Sequence, residues 1–229
     1  MNETQGAGNT GGRLIAIGDP HGCIAALETL LGEIRPRPLD TIVGLGDYID
    51  RGPDSRAVVE RMMSLAGQCR LVPLMGNHEE MMLAIRDGKL EHMLGSWLSY
   101  GGAATLASYD CSHPRDIPQR HADFLRSCRL WHEAQRYIFM HAGYLADMPL
   151  EEQTPGELLW VSLRNSRPGP HCSGKTAIVG HTAQRDGVIL DLGHLKCIDT
   201  CCYGEGWLTA MDVETGRVWQ ADKTGRLHG

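Results

Sequence analysis

No apolar run in the 229-residue chain comes near the ~20 residues that cross a bilayer, so no membrane partner is expected. The opening MNETQGAGNTGG has neither the basic end nor the apolar segment of an export signal, and a cytoplasmic location is expected. Eight cysteines are present, but none has the CxxC spacing of a zinc ribbon, and they are scattered from Cys23 to Cys202. They read as free thiols, mostly in apolar positions, rather than as a disulfide framework. Basic charge is not in excess either: 22 Lys and Arg stand against 28 Asp and Glu, a net of −6. A protein that tracks a phosphate backbone needs a basic field, so no nucleic-acid partner is expected. Repeats of the solenoid kind are missing, and the length suits one medium domain, read as a monomer.

What the chain does contain is an alternation of apolar strands and amphipathic helices punctuated by glycine. Residues 1–12, rich in Gly, Thr and Asn, read as a disordered tail, 13–221 as one domain, and 222–229 as a second tail. Leu14 to Ile17 is a short apolar run that ends in Gly18 and Asp19, as a buried parallel strand would. Ile24, Leu27, Leu30, Leu31 and Ile34 then recur at spacings of three and four until Pro36 and Pro38 stop the helix. The unit repeats twice. Thr41 to Leu45 leads into Gly46 and Asp47 and a helix over Ser55 to Leu65; Cys69 to Met75 leads into Gly76 and Asn77 and a helix through Met81, Met82 and Ile85. Such alternation predicts an α/β sheet covered on its faces, with polar residues at successive strand exits converging on one rim. Residues 90–130, with Trp97, Tyr100 and a GGAAT segment, read as an inserted helical cap. Tyr137 to Met140 and Thr176 to Val179 return to short strands that deliver His141 and, through Gly180, His181. From Val188 to Trp219 antiparallel strands are expected, with turns at Gly204 and Gly216.

The strand exits carry the chemistry. Asp19 and His21, two apart in an extended loop, can point to the same side and grip one cation. Asp47 can bind a metal through each carboxylate oxygen and so hold two ions about 3.5–4 Å apart, the separation used in phosphoryl displacement. Asn77, His141 and His181 complete the second ion. This mixed nitrogen and oxygen set, without thiolates, suits Mn, Fe, Zn, Co or Ni better than Ca or Mg, with Mn the ion expected to work in vitro.

In order along the chain, GDPHG (18–22), GDYIDRG (46–52), GNHE (76–79) and two later single histidines resemble the metallophosphoesterases of the phosphoprotein phosphatase family, in particular its compact bacterial and phage-type serine/threonine phosphatases. The resemblance implies a calcineurin-like β-sandwich with flanking helices and a small helical cap. It implies Asp19, His21 and Asp47 on one metal, and Asp47, Asn77, His141 and His181 on the other. His78 is then not a ligand but the proton donor to the leaving alkoxide, helped by Asp50, while Arg51, with Asn77, holds the phosphate. Hydrolysis of serine or threonine phosphomonoesters, with tyrosine a further candidate, by in-line attack of a hydroxide bridging the two metals follows from the resemblance. The partner would be a phosphoprotein or phosphopeptide.

Two positions depart from the family pattern. Compact relatives place a second phosphate-binding arginine about two residues after a tryptophan; here Trp160 is followed by Val161, Ser162 and Leu163, which leaves Arg164, with Arg167 in reserve. Where the family reads IDTG, this chain has Ile198, Asp199, Thr200 and Cys201. Two other functions share the motifs: a symmetrical dinucleoside tetraphosphatase, and a catalytically dead phosphate-binding scaffold.

Overall fold

The first two strands are buried on both sides, and for that reason read as continuous apolar sequence instead of alternating. In a computed structural model, which describes residues 11–228, β1 (Leu14–Ile17), β2 (Thr41–Gly44) and β3 (Arg70–Pro73) pair in parallel. β9 (Leu208–Asp212) joins β1 in the antiparallel sense, and β10 (Val218–Ala221) joins β9, giving the order β10-β9-β1-β2-β3. A second sheet has the order β4-β5-β6-β8-β7, from Trp131–Glu133, Tyr137–Met140, Thr176–Val179, Leu195–Cys197 and Leu190–Asp191. The tail read over 1–12 lies outside the described residues except for its last two.

The two sheets face each other across one apolar layer in which Ala16, Val43, Leu45 and Val72 meet Phe139, Ile178 and Ile198. Successive strand side chains point to opposite faces. Ile15, Ile17 and Ile42 therefore turn outward, onto α1 (Ile24–Ile34) and α2 (Ser55–Leu65), in a cluster that α3 (Asn77–Arg86) shares. Ile138, Met140, Ala177 and Val179 turn the other way, into a cluster with Leu158 of a short helix over Pro155–Trp160. The architecture is the expected α/β sandwich with flanking helices. The stretch from Val188 to Trp219 holds antiparallel pairs, β7 with β8 and β9 with β10, with a turn at Gly216. Its strands are divided between the sheets: β8 lies parallel to β6, while β9 crosses to β1.

Residues 90–130 are helical in short pieces: α4 (Leu94–Trp97), a π-type turn over Leu98–Gly102, α5 (Ala103–Ser108) and α6 (Gln119–Arg126). Trp97, Leu106, Tyr109 and Leu125 enter the same apolar cluster as α1, α2 and α3. Arg86, at the end of α3, donates to the carbonyls of Pro114, Arg115 and Ile117, tying the segment down. Residues 222–228 fold back: Leu227 bridges to Ala221, and the carbonyl of Gly225 accepts from Thr29 of α1. All eight cysteines are free thiols, six of them buried. Among the described residues no helix is long and apolar enough to cross a membrane.

The entry to β2 is pinned by Asp40, whose wholly buried carboxylate accepts from the main-chain N, Nε and Nη2 of Arg13 and from the main-chain N, Nε and Nη2 of Arg37. Burial pushes this carboxyl up, but the donors from Arg13 and Arg37 outweigh it and hold it well below the usual range. Asp40→Asn should cost about 2–3 kcal/mol in urea unfolding at neutral pH. Because a depressed carboxyl stabilises only above its unfolded pKa of about 3.9, the gap between variant and native chain should narrow as the pH falls below that value.

Candidate metal centre

Five strand exits from two sheets meet at one rim. Asp19 follows β1, Asp47 follows β2, Asn77 opens α3 after β3, His141 directly follows β5, and His181 follows β6. All but His181 are buried, His21 and His141 completely. The backbone is held unusually here. Of the eight non-glycine residues with positive φ among those described, five are His21 (40°), Asp47 (50°), Asp50 (71°), Arg51 (70°) and His181 (61°). Such conformations cost roughly 1–3 kcal/mol each and persist only where the surroundings over-determine them.

Asp47 lies at the centre. With His21 and His78 it forms one group of donor atoms, and with His141 and His181 another, all atoms of each group within 4.8 Å of one another. Its Oδ2 is 3.4 Å from His21 Nε2, and its Oδ1 is 3.4 Å from His141 Nε2. Asn77 Oδ1 joins the second group, 3.1 Å from His141 Nε2 and 3.0 Å from His181 Nδ1. The imidazoles are oriented from behind: His21 Nδ1 donates to the carbonyl of Ile49 at 2.9 Å and His141 Nδ1 to that of Leu45 at 2.7 Å. Each Nε2 is thereby turned inward with its lone pair available, the orientation that a backbone carbonyl imposes on metal-binding histidine.

Three observations test whether cations fit this set. His141 Nε2 faces two acceptor oxygens, an arrangement that requires either an added proton or a cation between them. Burial pushes His141 down, yet the Asp47 carboxylate beside it lifts it to about 10. Asp19 Oδ1 and Asp199 Oδ2 are buried oxygens without a hydrogen-bond partner. Burial and the neighbouring Asp199 push Asp19 well above the usual carboxylate range, and burial lifts Asp199 to about 6 despite the donated N–H of Cys201. A cluster of buried carboxylates with unspent lone pairs beside inward-facing imidazoles is relieved by positive charge, and the residues present fit a pair of metal ions. The backbone leaves room for little else: a Cβ on Gly180 would stand 2.0 Å from Asp19 Oδ1.

The other expected residues fall as follows. Asp19 is in neither donor group; its Oδ2 accepts the main-chain N–H of His181 at 2.7 Å. His78, expected outside the ligand set, is itself a member of the first group, with Nε2 3.9 Å from Asp47 Oδ2, while its Nδ1 donates to Asp50 Oδ2 at 2.7 Å. The Arg51 guanidinium donates to His21 Nε2 at 2.8 Å and His78 Nε2 at 2.9 Å, and lies over the ring of Tyr203, 4.5 Å from its centroid. Arg164 is exposed and donates to the carbonyl of Ala183, so the structure does not bring it into the cluster. Trp97 is fully buried, and Tyr100 is exposed.

Sequence reasoning gave no role to Glu79, Asp199, Tyr203 or Thr105. Glu79 accepts from the main-chain N–H groups of Asp47, Tyr48, Ile49 and Gly76 at 2.8–3.2 Å, and so welds the second motif to the third. Burial, reinforced by Asp47, lifts it to about 7. A signal for Asp199 exists, since it follows β8 as the others follow their strands; Thr105, inside a helix, offers none. Cys201, which stands where the family has glycine, has φ of 64°, the left-handed region glycine occupies freely.

The family described as calcineurin-like phosphoesterase matches residues 12–195. The chain belongs to that family. Among its relatives, serine/threonine-protein phosphatase 1 of Salmonella typhimurium is 38% identical over 210 residues, covering 86% of this chain and 90% of that protein. The symmetrical bis(5'-nucleosyl)-tetraphosphatase of Nitrosomonas europaea is 31% identical over 140 residues, 60% of this chain; the match spans only 47% of that protein, about half its length. A solved structure titled as a putative diadenosine tetraphosphatase superposes with a TM-score of 0.70 at 24% identity, covering 93% of this chain and 94% of that one, and shows the shared fold. For a calcineurin-like phosphoesterase these findings agree with the fold and family that the motifs imply.

A metal held by His141 would link binding to stability. In the metal-free protein His141, near 10, and Glu79, near 7, keep protons that the unfolded chain has released, so above about pH 6.5 the folded state binds more protons and stability falls as the pH rises. His21, held down by burial, and His181, held near 4 by burial and by His141, act with the opposite sign, but below about pH 6.5. Urea unfolding of chelator-treated protein should therefore lose up to roughly 2 kcal/mol between about pH 6.5 and 8. Saturating manganese, which competes with the proton on His141, should abolish or reverse that slope.

Proposed function

We propose that the protein is a metal-dependent protein phosphatase that hydrolyses phosphoserine and phosphothreonine monoesters, with phosphotyrosine a further substrate. The observation that carries this reading is the arrangement around Arg51: its two terminal nitrogens face His21 and His78, and the Asp50-bound His78 reaches the Asp47-centred donor set. Asp19, His21 and Asp47 would hold one metal, and Asp47, Asn77, His141 and His181 the other. Mn is the ion we expect in vitro, and Fe, Zn, Co and Ni suit the same donors. When bound, such a pair supplies Lewis acidity toward the phosphoryl group and a water acidic enough to attack it near neutral pH.

The chain's own residues do the rest. Arg51 presents a planar pair of donors that matches phosphate oxygens, and Asn77, whose Oδ1 faces His141 and His181, would add its amide N–H. Phosphate oxygens can replace the histidine nitrogens as acceptors for Arg51, which frees His78 Nε2 to carry a proton. Asp50 keeps His78 Nδ1–H engaged, so the proton on Nε2 is the one delivered to the departing serine or threonine oxygen, a poor leaving group without it. Arg164 would approach the phosphate only by giving up the carbonyl of Ala183.

Length supports the protein-phosphatase reading, because the Salmonella protein matches over nearly the whole of both chains while the Nitrosomonas enzyme has about half its length unmatched. A second reading, symmetrical cleavage of dinucleoside tetraphosphates, is favoured by that same sequence match and by the solved structure of comparable size. A dead scaffold is opposed by the presence of every expected ligand together with His78, Asp50 and Arg51. We place the working protein in the cytoplasm as a monomer.

With manganese-loaded protein, a phosphoserine peptide should be turned over faster than diadenosine tetraphosphate; a strong preference for the dinucleotide would select the second reading. His78→Asn should retain two metals per chain and lose roughly 10²- to 10⁴-fold in kcat. Asp47→Asn should lose metal, measured by elemental analysis, along with activity.

A further inference from the structure

We infer that Thr105 and Trp97, from the helical segment at 90–130, are positioning residues that hold the Asp50 carboxylate in place behind His78, so that this segment governs proton delivery to the leaving group. The inference rests on the phosphatase reading for its chemistry. Its geometry stands independently.

Asp50 and Arg51 are consecutive, neither is glycine, and both are left-handed, so something must hold them. The main-chain N–H of Arg51 donates to the carbonyl of Gly101 at 3.1 Å. The main-chain N–H of Asp50 is shared by Thr105 Oγ1 at 2.9 Å and Ser55 Oγ at 3.0 Å. Thr105 Oγ1 donates its one proton to Asp50 Oδ1 at 2.6 Å, which leaves Ser55 as the donor in the 2.9 Å contact between the two hydroxyls. Asp50 Oδ2 accepts from Trp97 Nε1 at 2.7 Å and from His78 Nδ1 at 2.7 Å. Each donor and acceptor in this network is thus used, and Asp50, Ser55, Trp97 and Thr105 are all completely buried. The indole has no slack: a Cβ on Gly102 would come within 2.4 Å of its ring.

A carboxylate anchored at both oxygens cannot rotate about its last bond, and His78 Nδ1 then has one fixed acceptor. Without the Thr105 hydroxyl, Oδ1 becomes a buried anionic oxygen without a donor, and the carboxylate gains a reason to turn. The resulting loss should fall on the proton-transfer part of the reaction. It should therefore depend on how badly the leaving group needs a proton, which a general loosening of the fold would not.

The test uses manganese-loaded full-length protein with Thr105→Val, which keeps the shape, and Thr105→Ser, which returns the hydroxyl. A phosphoserine peptide releases an alkoxide that requires a proton, whereas p-nitrophenyl phosphate releases a phenolate that does not. Thr105→Val should lower kcat on the phosphopeptide about 10- to 100-fold with KM within about twofold, and change p-nitrophenyl phosphate turnover less than about threefold. Thr105→Ser should restore the phosphopeptide rate. Equal losses on the two substrates, native rates on both, or no recovery with serine would overturn the inference. Trp97→Phe, which keeps a ring and removes the donor, should show the same selectivity and serves if the valine variant fails to fold. An activity-independent readout, taken on the zinc-loaded chain because zinc is diamagnetic, is the His78 Nδ1 proton in nitrogen-resolved NMR spectra: slow to exchange in the native and Thr105→Ser chains, and broadened in Thr105→Val. An unchanged resonance in Thr105→Val would equally overturn the inference, whereas a native chain inactive on every phosphoester would overturn only the phosphatase reading.

Discussion

The Asp47 carboxylate, buried and shared between two sets of nitrogen donors, is the constraint around which the rest of the site is arranged. Each of its oxygens is turned toward a different group, His21 on one side and His141 on the other. Buried negative charge of this kind is tolerable only with compensating charge close by. The inward-facing imidazoles, the unpartnered oxygens of Asp19 and Asp199, and the His141 that Asp47 raises all gather here, and added positive charge would relieve them. Holding that shape takes backbone from two sheets and five loops, which is why the fold is built so that strands of both sheets end at one rim.

The glycine-rich loops do not hold themselves. Glu79 gathers four main-chain N–H groups from two motifs, and the left-handed residues His21, Asp47, Asp50, Arg51 and His181 stay in place because each lies in a dense set of hydrogen bonds. Much of the site's order is therefore backbone order, supplied by side chains that touch no substrate. The helical segment at 90–130 extends the same principle. It packs into the common core through Trp97 and Leu106 and reaches the site through Thr105, Trp97 and the carbonyl of Gly101.

Most of the residues that meet at the rim are legible in the sequence because each sits at the exit of an apolar strand, where a polar residue beside glycine has no packing role. His21, Asp47, Asn77, His141 and His181 come together as that pattern implies, and Asp199, just after β8, obeys the same rule. Thr105 and Trp97 could not be read this way. Both lie on short helices where threonine and tryptophan ordinarily serve packing, and their hydrogen bonds to Asp50 span 55 and 47 residues. Spacing from Trp160 points to Arg164, but the local path of the chain after that helix turns its guanidinium to Ala183.

The sequence by itself determined the order of strands and helices, the residue types at the strand exits and the family they signal, because apolar period and glycine placement act over a few residues. Only the tertiary structure decided how the strands divide between two sheets and that β9 crosses to β1 while β8 stays beside β6. It alone decided that His78 joins His21 and Asp47 in one donor group, and which distant side chains fasten Asp50. Those outcomes depend on pairings between segments far apart in the chain, where packing of whole faces outweighs any local preference.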